Sequence, residues 1–281
     1  MALSEDFGSQ KGKMMRLAVL SDIHGNLVAL EAALADLEAA GGADVTWVLG
    51  DLAAFGPRPV ECIRRIRAMA DAAKAAAEQD ASQKGRLRLV SGNTDRYLVT
   101  GARPRIKPAE NEDEMRAAFQ NSANIDARLN WAAAQLSYED YDFVRKLGGE
   151  CDLNAPGYGG VIGYHAVPGD DEPIITPDMP DHQIADAVLD REGRLAIYGH
   201  IHRQWDRELT VGGWRMVNVG SIGMSFDRPG EAQWGLFTFE DGQVKVDLRH
   251  IPYDVEAVIA DLSAVGFPAP EWTIQTLRVG R

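Results

Sequence analysis

Three short apolar runs constrain this chain most, because each one stops at a polar cluster. The predicted strand Arg16 to Ser21 runs into Asp22-Ile23-His24-Gly25-Asn26. The run from Asp44 to Leu49 ends at Gly50-Asp51, and Leu87 to Val90 ends in Ser91-Gly92-Asn93-Thr94-Asp95. Short continuous apolar runs are the pattern of strands buried on both faces. Helical patterns separate them. Leu27, Leu30, Leu34 and Leu37 recur at helical spacing before a Gly41-Gly42 stop, and Pro59 suits the first turn of a helix carrying Ile63, Ile66 and Met69. Strand, helix, strand, helix, strand predicts right-handed parallel crossovers and an α/β fold. In such sheets the site lies beyond the carboxyl ends of the strands, where the polar clusters fall.

The middle of the chain has another texture. Residues 97–150 open with Pro104, Pro108 and the acidic group Glu110, Glu112, Asp113 and Glu114, then read as helical around Met115 to Ser122 and Ala127 to Leu136. Ser137 caps a further helix, with Asp140 three residues later. Strand texture returns at Val161 to Tyr164, leading into His165. A helix over Asp181 to Arg191 precedes Leu195 to Tyr198, which ends in Gly199-His200-Ile201-His202. Two hairpins follow. Gly212-Gly213 joins Arg207–Val211 to Trp214–Val219, and Asp241-Gly242 joins Gln233–Glu240 to Gln243–Arg249. Val255, Val258, Ile259 and Leu262 mark a closing helix, and residues 269–281 read as a loosely docked tail.

Composition excludes several classes. With 281 residues and 45% hydrophobic content, the chain can bury one large domain or two small ones. A formal net charge of -13 argues against non-specific nucleic-acid binding and against anionic membranes. It leaves room for a phosphate substrate, provided bound cations neutralise the site. Two cysteines make neither a disulfide framework nor a zinc finger. No apolar run reaches a membrane span of about 18 residues. Residues 1–13 lack the apolar stretch of a signal peptide, so a cytoplasmic protein with a disordered 1–14 tail is expected.

The chemistry concentrates at the strand ends. Asp22, His24, Asp51, Asn93, His165, His200 and His202 all fall there, and four of the six histidines are among them. Imidazole with carboxylate and no thiolate suits Mn²⁺, Fe²⁺ or Zn²⁺. Residues i and i+2 of an extended segment face the same way, so Asp22 with His24, and His200 with His202, can each offer two ligands to one side. Seven ligands exceed the needs of one catalytic ion. They fit two ions sharing a carboxylate, with Asp51 as the bridge. Two metals about 3.5–4 Å apart can generate a hydroxide nucleophile and clamp an in-line displacement at phosphorus.

Taken in order, Asp22-Ile23-His24, Gly50-Asp51, Gly92-Asn93-Thr94-Asp95, His165 and Gly199-His200-Ile201-His202 resemble the calcineurin-like metallophosphoesterase superfamily. Asp22 through Leu27, with Leu129-Asn130-Trp131, resembles its bacterial branch of YfcE-type phosphodiesterases and diadenosine-tetraphosphatase-like proteins. The resemblance implies a four-layer αββα sandwich over residues 15–268, with 97–150 as a helical insertion. It implies one metal on Asp22, His24, Asp51 and His202, and another on Asp51, Asn93, His165 and His200. Manganese is expected first, with iron, zinc or nickel as alternatives. Asn218-Val219-Gly220-Ser221 is similar to the family's Asn-Pro-Gly-Ser turn beneath the site.

One departure stands out. The family's third motif commonly reads Gly-Asn-His-Asp or Gly-Asn-His-Glu, with the His near the leaving-group oxygen; here that position is Thr94. A Thr hydroxyl cannot be a general acid near neutral pH but can donate one hydrogen bond. The expected activity is therefore a phosphodiesterase acting on a nucleotide-type diester or phosphoanhydride by metal-activated hydroxide. Asp51, Thr94 and Asp95 are the catalytic candidates; Asn93, Arg96 and Arg203 are the substrate-binding candidates. Asp95 has an alternative role, holding backbone or Arg96. A phosphoprotein phosphatase and a non-catalytic metal-binding scaffold of the same fold are the competing readings. The oligomeric state is not legible.

Overall fold

Parallel strands need crossover connections, and in this computed structural model helices supply most of them. The structure describes residues 14–188 and 190–281, so most of the expected 1–14 tail lies outside the described residues. The first crossovers are β1 (Met15–Leu20), α1 (Leu27–Ala39), β2 (Val45–Val48), α2 (Pro59–Gln79) and β3 (Leu87–Leu89). Then come α3 (Asn93–Thr100), α4 (Glu112–Ala133), α5 (Tyr138–Arg145), β4 (Glu150–Ala155) and β5 (Gly159–Tyr164). The second half holds α6 (Asp181–Asp186), β6 (Leu195–Tyr198), β7 (Gln204–Glu208) and β8 (Arg215–Val219). It closes with β9 (Glu231–Glu240), β10 (Gln243–Pro252), α7 (Val255–Ala264) and α8 (Glu271–Val279).

Two five-stranded sheets form, ordered β10-β9-β1-β2-β3 and β4-β5-β6-β8-β7. Each has three parallel strands, β1-β2-β3 and β5-β6-β8, with antiparallel partners outside them. The strand period decides the layers. Leu17 and Val19 of β1 pack with Trp47, Ile197, Val217 and Phe237 between the sheets. Ala18 and Leu20 face the other way, into a core built with α1, α2 and α4. The outer face of the second sheet is covered more thinly, around Ile184 of α6 with Tyr164 and Trp214. This is the expected four-layer αββα sandwich.

Several elements differ from their sequence reading. β4 was not expected. Cys151, Leu153 and Ala155 point inward while Glu150, Asp152 and Asn154 alternate outward, as an edge strand allows. The two helical patterns of the insertion are one helix, α4. β8 lies parallel to β6 and antiparallel only to β7. Leu209 N donates to Trp214 O, so Thr210–Gly213 is a four-residue connection rather than a two-residue turn. The tail reading of 269–281 is corrected as well. Residues 271–279 form α8, which buries Thr273, Thr276 and Leu277. Its polar residues masked a single buried face.

The insertion is tied to the sandwich by a buried carboxylate. Asp140 accepts from Ser137 Oγ at 3.0 Å and pairs with Arg64 at 2.9 Å and Arg67 at 3.1 Å. Burial pushes its pKa up, but Arg64 and Ser137 outweigh that and hold it below the ordinary value. Both arginines are partly exposed, which discounts the pairing. Asp140→Ala should lower stability by about 1–3 kcal/mol in urea unfolding at neutral pH. A depressed carboxylate stabilises above its unfolded pKa of about 4, and this is lost as pH falls through the lower native value. The gap between variant and wild type should therefore shrink in acid, and a gap constant with pH would contradict the assignment.

Candidate metal centre

The polar clusters do meet. Asp22 and His24 follow β1, Asp51 follows β2, Asn93 and Thr94 open α3, His165 follows β5, and His200 and His202 follow β6. The backbone that carries them is not extended. Asp22, His24, Asp51, His200 and His202 all have φ between 50° and 67°. The expectation that i and i+2 converge through strand alternation is corrected: left-handed turns bring them together. Such conformations cost about 1–3 kcal/mol each for non-glycine residues and persist only where the surroundings hold them. Here the loops are stitched to each other. Asp22 N donates to Gly50 O at 3.0 Å, and His24 N donates to Asp51 O at 2.8 Å.

The histidine environments fix which nitrogen is free. His24 Nδ1 lies 3.0 Å from Ala54 O, His165 Nδ1 2.8 Å from Leu49 O, and His202 Nδ1 2.8 Å from Met224 O. His200 reverses the arrangement, with Nε2 3.2 Å from Glu172 O. A carbonyl only accepts, so each of these nitrogens carries the proton. The other four nitrogens present lone pairs, and they meet in two groups. His24 Nε2 is 2.9 Å from His202 Nε2, and His165 Nε2 is 3.2 Å from His200 Nδ1 and 3.0 Å from Asn93 Oδ1. Acceptors facing each other at such distances repel unless a cation lies among them.

The carboxylates complete both groups. Asp22 Oδ2 accepts from Ser21 Oγ at 2.6 Å and His200 N at 2.9 Å. Its Oδ1 is buried without a hydrogen bond, 3.2 Å from His202 Nε2. Asp51 Oδ1 accepts from Thr94 N at 2.9 Å. Asp51 Oδ2 stands 3.5 Å from His24 Nε2 and 3.6 Å from His165 Nε2, between the two groups. Among the described residues, Asp22, His24 and His202, and Asp22, Asp51 and His165, form sets able to hold a metal. The orphaned Asp22 oxygen and the opposed lone pairs fit divalent cations. At His24, His200 and Asp22 the protonation states fit as well, while His165 is held toward its charged form by the carboxylates. Burial, then His202, lowers His24 to about 4, and burial, then His165, lowers His200 to about 4. Burial opposes a charged His165, but Asp51 and Asp22 raise it above the ordinary value. Burial likewise opposes ionisation of Asp22, which His202, His165 and His24 nevertheless hold well below the carboxylate range.

Supporting residues leave little slack. Asn218 Nδ2 donates to Gly199 O, and Ser221 Oγ donates to Asp22 O at 2.8 Å, so the Asn-Val-Gly-Ser turn braces both loops. A Cβ on Gly199 would meet Ser21 Oγ at 2.1 Å and Asp22 Oδ2 at 2.2 Å. Asp95 accepts from the amides of Asp51 (2.8 Å), Leu52 (2.9 Å) and Gly92 (3.0 Å). It is fully buried and off the cleft wall, so its catalytic candidacy gives way to its other reading, holding backbone. Burial and the charge of Asp51 push Asp95 up to about 7; cations bound beside Asp51 would offset that repulsion. Arg96 is corrected too. Its guanidinium is taken by Asp171 (2.7 and 2.6 Å) and Glu172 (2.6 Å), which ties α3 to the loop that accepts from His200. Arg203 donates to the main-chain oxygen of Arg281 at 2.6 Å and borders the cleft.

The cluster opens into a cleft of about 600 Å³. His24, Asp51, Asn93, Thr94, His200 and His202 line part of it. The remaining wall includes Phe55, Phe226 and Trp272, with Ile125 and Arg128 from α4. The insertion and α8 therefore border the site. Sequence reasoning missed Phe55, Arg128, Phe226 and Trp272. A cation on the apolar face of α4, next to Leu129, was the one available signal.

A model of the calcineurin-like phosphoesterase superfamily domain matches residues 15–242. The chain belongs to the calcineurin-like phosphoesterase superfamily. It is a metal-dependent phosphoester hydrolase. An uncharacterized protein of Methanocaldococcus jannaschii is 27% identical over 280 residues, covering 94% of this chain and 98% of that one. A Citrobacter koseri protein named as a symmetrical bis(5'-nucleosyl)-tetraphosphatase is 30% identical over 269 residues, covering 92% and 78%. The crystal structure of a metallophosphoesterase from Sphaerobacter thermophilus matches with a TM-score of 0.65 at 23% identity, covering 94% and 98%; it shares the fold. Among the described residues no helix is long and apolar enough to cross a membrane.

Proposed function

We propose that this phosphoesterase is a two-metal phosphodiesterase for nucleotide-type diesters or phosphoanhydrides. One observation carries the reading: Asp51 Oδ2 stands between His24 Nε2 and His165 Nε2, in a cleft walled by Phe55, Phe226 and Trp272. Asp22, His24, Asp51 and His202 hold one divalent ion, and Asp51, Asn93, His165 and His200 the other; manganese suits this nitrogen and oxygen set. When bound, such ions acidify water and neutralise charge on phosphoryl oxygens. The chain's own groups do the rest. The amide donors on Asp22 Oδ2 and Asp51 Oδ1 fix both carboxylates, so that the other oxygen of each faces the unprotonated imidazole nitrogens that would share the ions with it. The aromatic wall provides a stacking surface for a base and excludes water. A relative named as a tetraphosphatase supports the nucleotide class. The two cysteines, both free and buried, suit a cytoplasmic location.

Thr94 sets the substrate range. Its Oγ1 is buried without a partner, and the residue lines the cleft. The hydroxyl can donate one hydrogen bond to a phosphoryl oxygen but cannot protonate a poor leaving group. With Mn²⁺, bis-p-nitrophenyl phosphate should be hydrolysed at least about tenfold faster than p-nitrophenyl phosphate in kcat/KM, a loss near 1.4 kcal/mol for the monoester. Thr94→His should raise the monoester rate. Equal or faster monoester turnover by the wild type would sink the diesterase reading.

A further inference from the structure

Among the charged groups that line the cleft outside the metal centre, Arg128 is the buried one; Asp178, Arg203 and Arg281 are exposed. It is 3% exposed, on α4. Its Nε and Nη2 donate to Ala269 O at 3.1 and 2.8 Å, and its guanidinium lies 5.3 Å from the Trp272 ring. Nη1 makes no hydrogen bond among the described residues, and no carboxylate there forms a salt bridge with it. Burial lowers its pKa, with only the more distant Glu271 opposing. Arginine stays charged even so. A buried cation without a counter-ion is unfavourable by several kcal/mol, and one carbonyl and one ring face replace little of its hydration. Even a partly exposed arginine such as Arg249, on Asp36, has a carboxylate. Arg128 instead lines the cleft that holds the metal ligands. Ala269, which receives it, sits at φ 46°, so the loop before α8 holds an unfavourable conformation that keeps this carbonyl on Arg128.

We propose that Arg128, braced by Ala269 and Trp272, binds a second phosphate group of the substrate, separate from the one that reacts. A guanidinium fork matches phosphate oxygens in shape and charge. The preferred substrate is then a nucleotide carrying at least two phosphate groups, such as a bisphosphate or a dinucleoside polyphosphate. This rests on the nucleotide reading above and narrows it.

Calorimetry on the metal-loaded protein tests it with thymidine 5'-monophosphate and thymidine 3',5'-bisphosphate. The wild type should bind the bisphosphate at least about tenfold tighter, which corresponds to 1.4 kcal/mol. Arg128→Gln should bring that ratio toward one, and Arg128→Lys, which keeps the charge but not the fork, should fall between. A wild-type ratio of one overturns the proposal. So does an Arg128→Gln ratio equal to wild type. If Arg128→Gln weakens both ligands alike and lowers the melting temperature, with Arg128→Lys no better, Arg128 is structural and the proposal fails. Absence of diester turnover with metals bound would defeat the diesterase reading instead, while the affinity ratio still decides the role of Arg128.

Discussion

Asp51→Asn should release both metal ions and lower diester turnover by at least about 10³-fold, equivalent to roughly 4 kcal/mol of transition-state stabilisation. Asp51 Oδ2 is the atom shared by the two groups, 3.5 Å from His24 Nε2 and 3.6 Å from His165 Nε2. Asparagine can still accept from Thr94 N with its carbonyl. Its amide group then points donors at the place where cations belong, and the shared negative charge is gone. Single losses on either side separate the two sites. His202→Ala should deplete only the ion beside Asp22 and His24, and His165→Ala only the ion beside Asn93 and His200. Metal content after dialysis, read by mass spectrometry beside a urea melt, checks all three. If Asp51→Asn keeps both ions with normal turnover, Asp51 does not bridge.

Gly92→Ala should lower turnover by about 10²-fold or more while secondary structure, read by circular dichroism, stays intact. Gly92 has φ -96°, a conformation open to alanine, so backbone freedom is not the reason for glycine there. Space is the reason. A Cβ would lie 2.1 Å from Asp51 Oδ1 and 2.7 Å from Asp51 N. The side chain it would displace is the carboxylate that lies near both His24 Nε2 and His165 Nε2, and a misplacement near 1 Å in a catalytic group costs about 10²-fold. Wild-type kcat and metal content in Gly92→Ala would mean that Asp51 tolerates the shift and the site is looser than its packing.

Much of the site was legible because each ligand follows a short apolar strand. Parallel strands place their carboxyl ends on one side of a sheet, so Asp22, Asp51 and Asn93 had to be neighbours once β1, β2 and β3 were recognised. His165, His200 and His202 belong to the second sheet, and their order along the chain resembled the family's. The reason for convergence was not legible. Left-handed φ at Asp22, His24, His200 and His202 is imposed by hydrogen bonds from distant loops, which leave no local pattern in these residues. The same limit hid the partners of Arg96 and Asp95. Arg96 has its carboxylates at Asp171 and Glu172, beyond two helices and two strands, and Asp95 bonds amides on another strand's loop.

Residues 93–96 divide the two sources of information. Residue type and strand-end position by themselves marked Asn93 as a candidate metal ligand, alongside the carboxylates and histidines at the other strand ends. The replacement at Thr94 was visible as a missing acid. Only the tertiary structure decided what surrounds that vacancy in chemistry. α4 comes from the middle of the chain and α8 from near its end, and nothing local in either marks it as part of the cleft wall. They form the cleft wall because Arg128 crosses to Ala269 and stacks on Trp272. Local sequence encodes which groups can bind a metal, because ligand chemistry belongs to individual side chains. It does not encode which distant side chains share a cavity, because that follows from packing the whole sandwich.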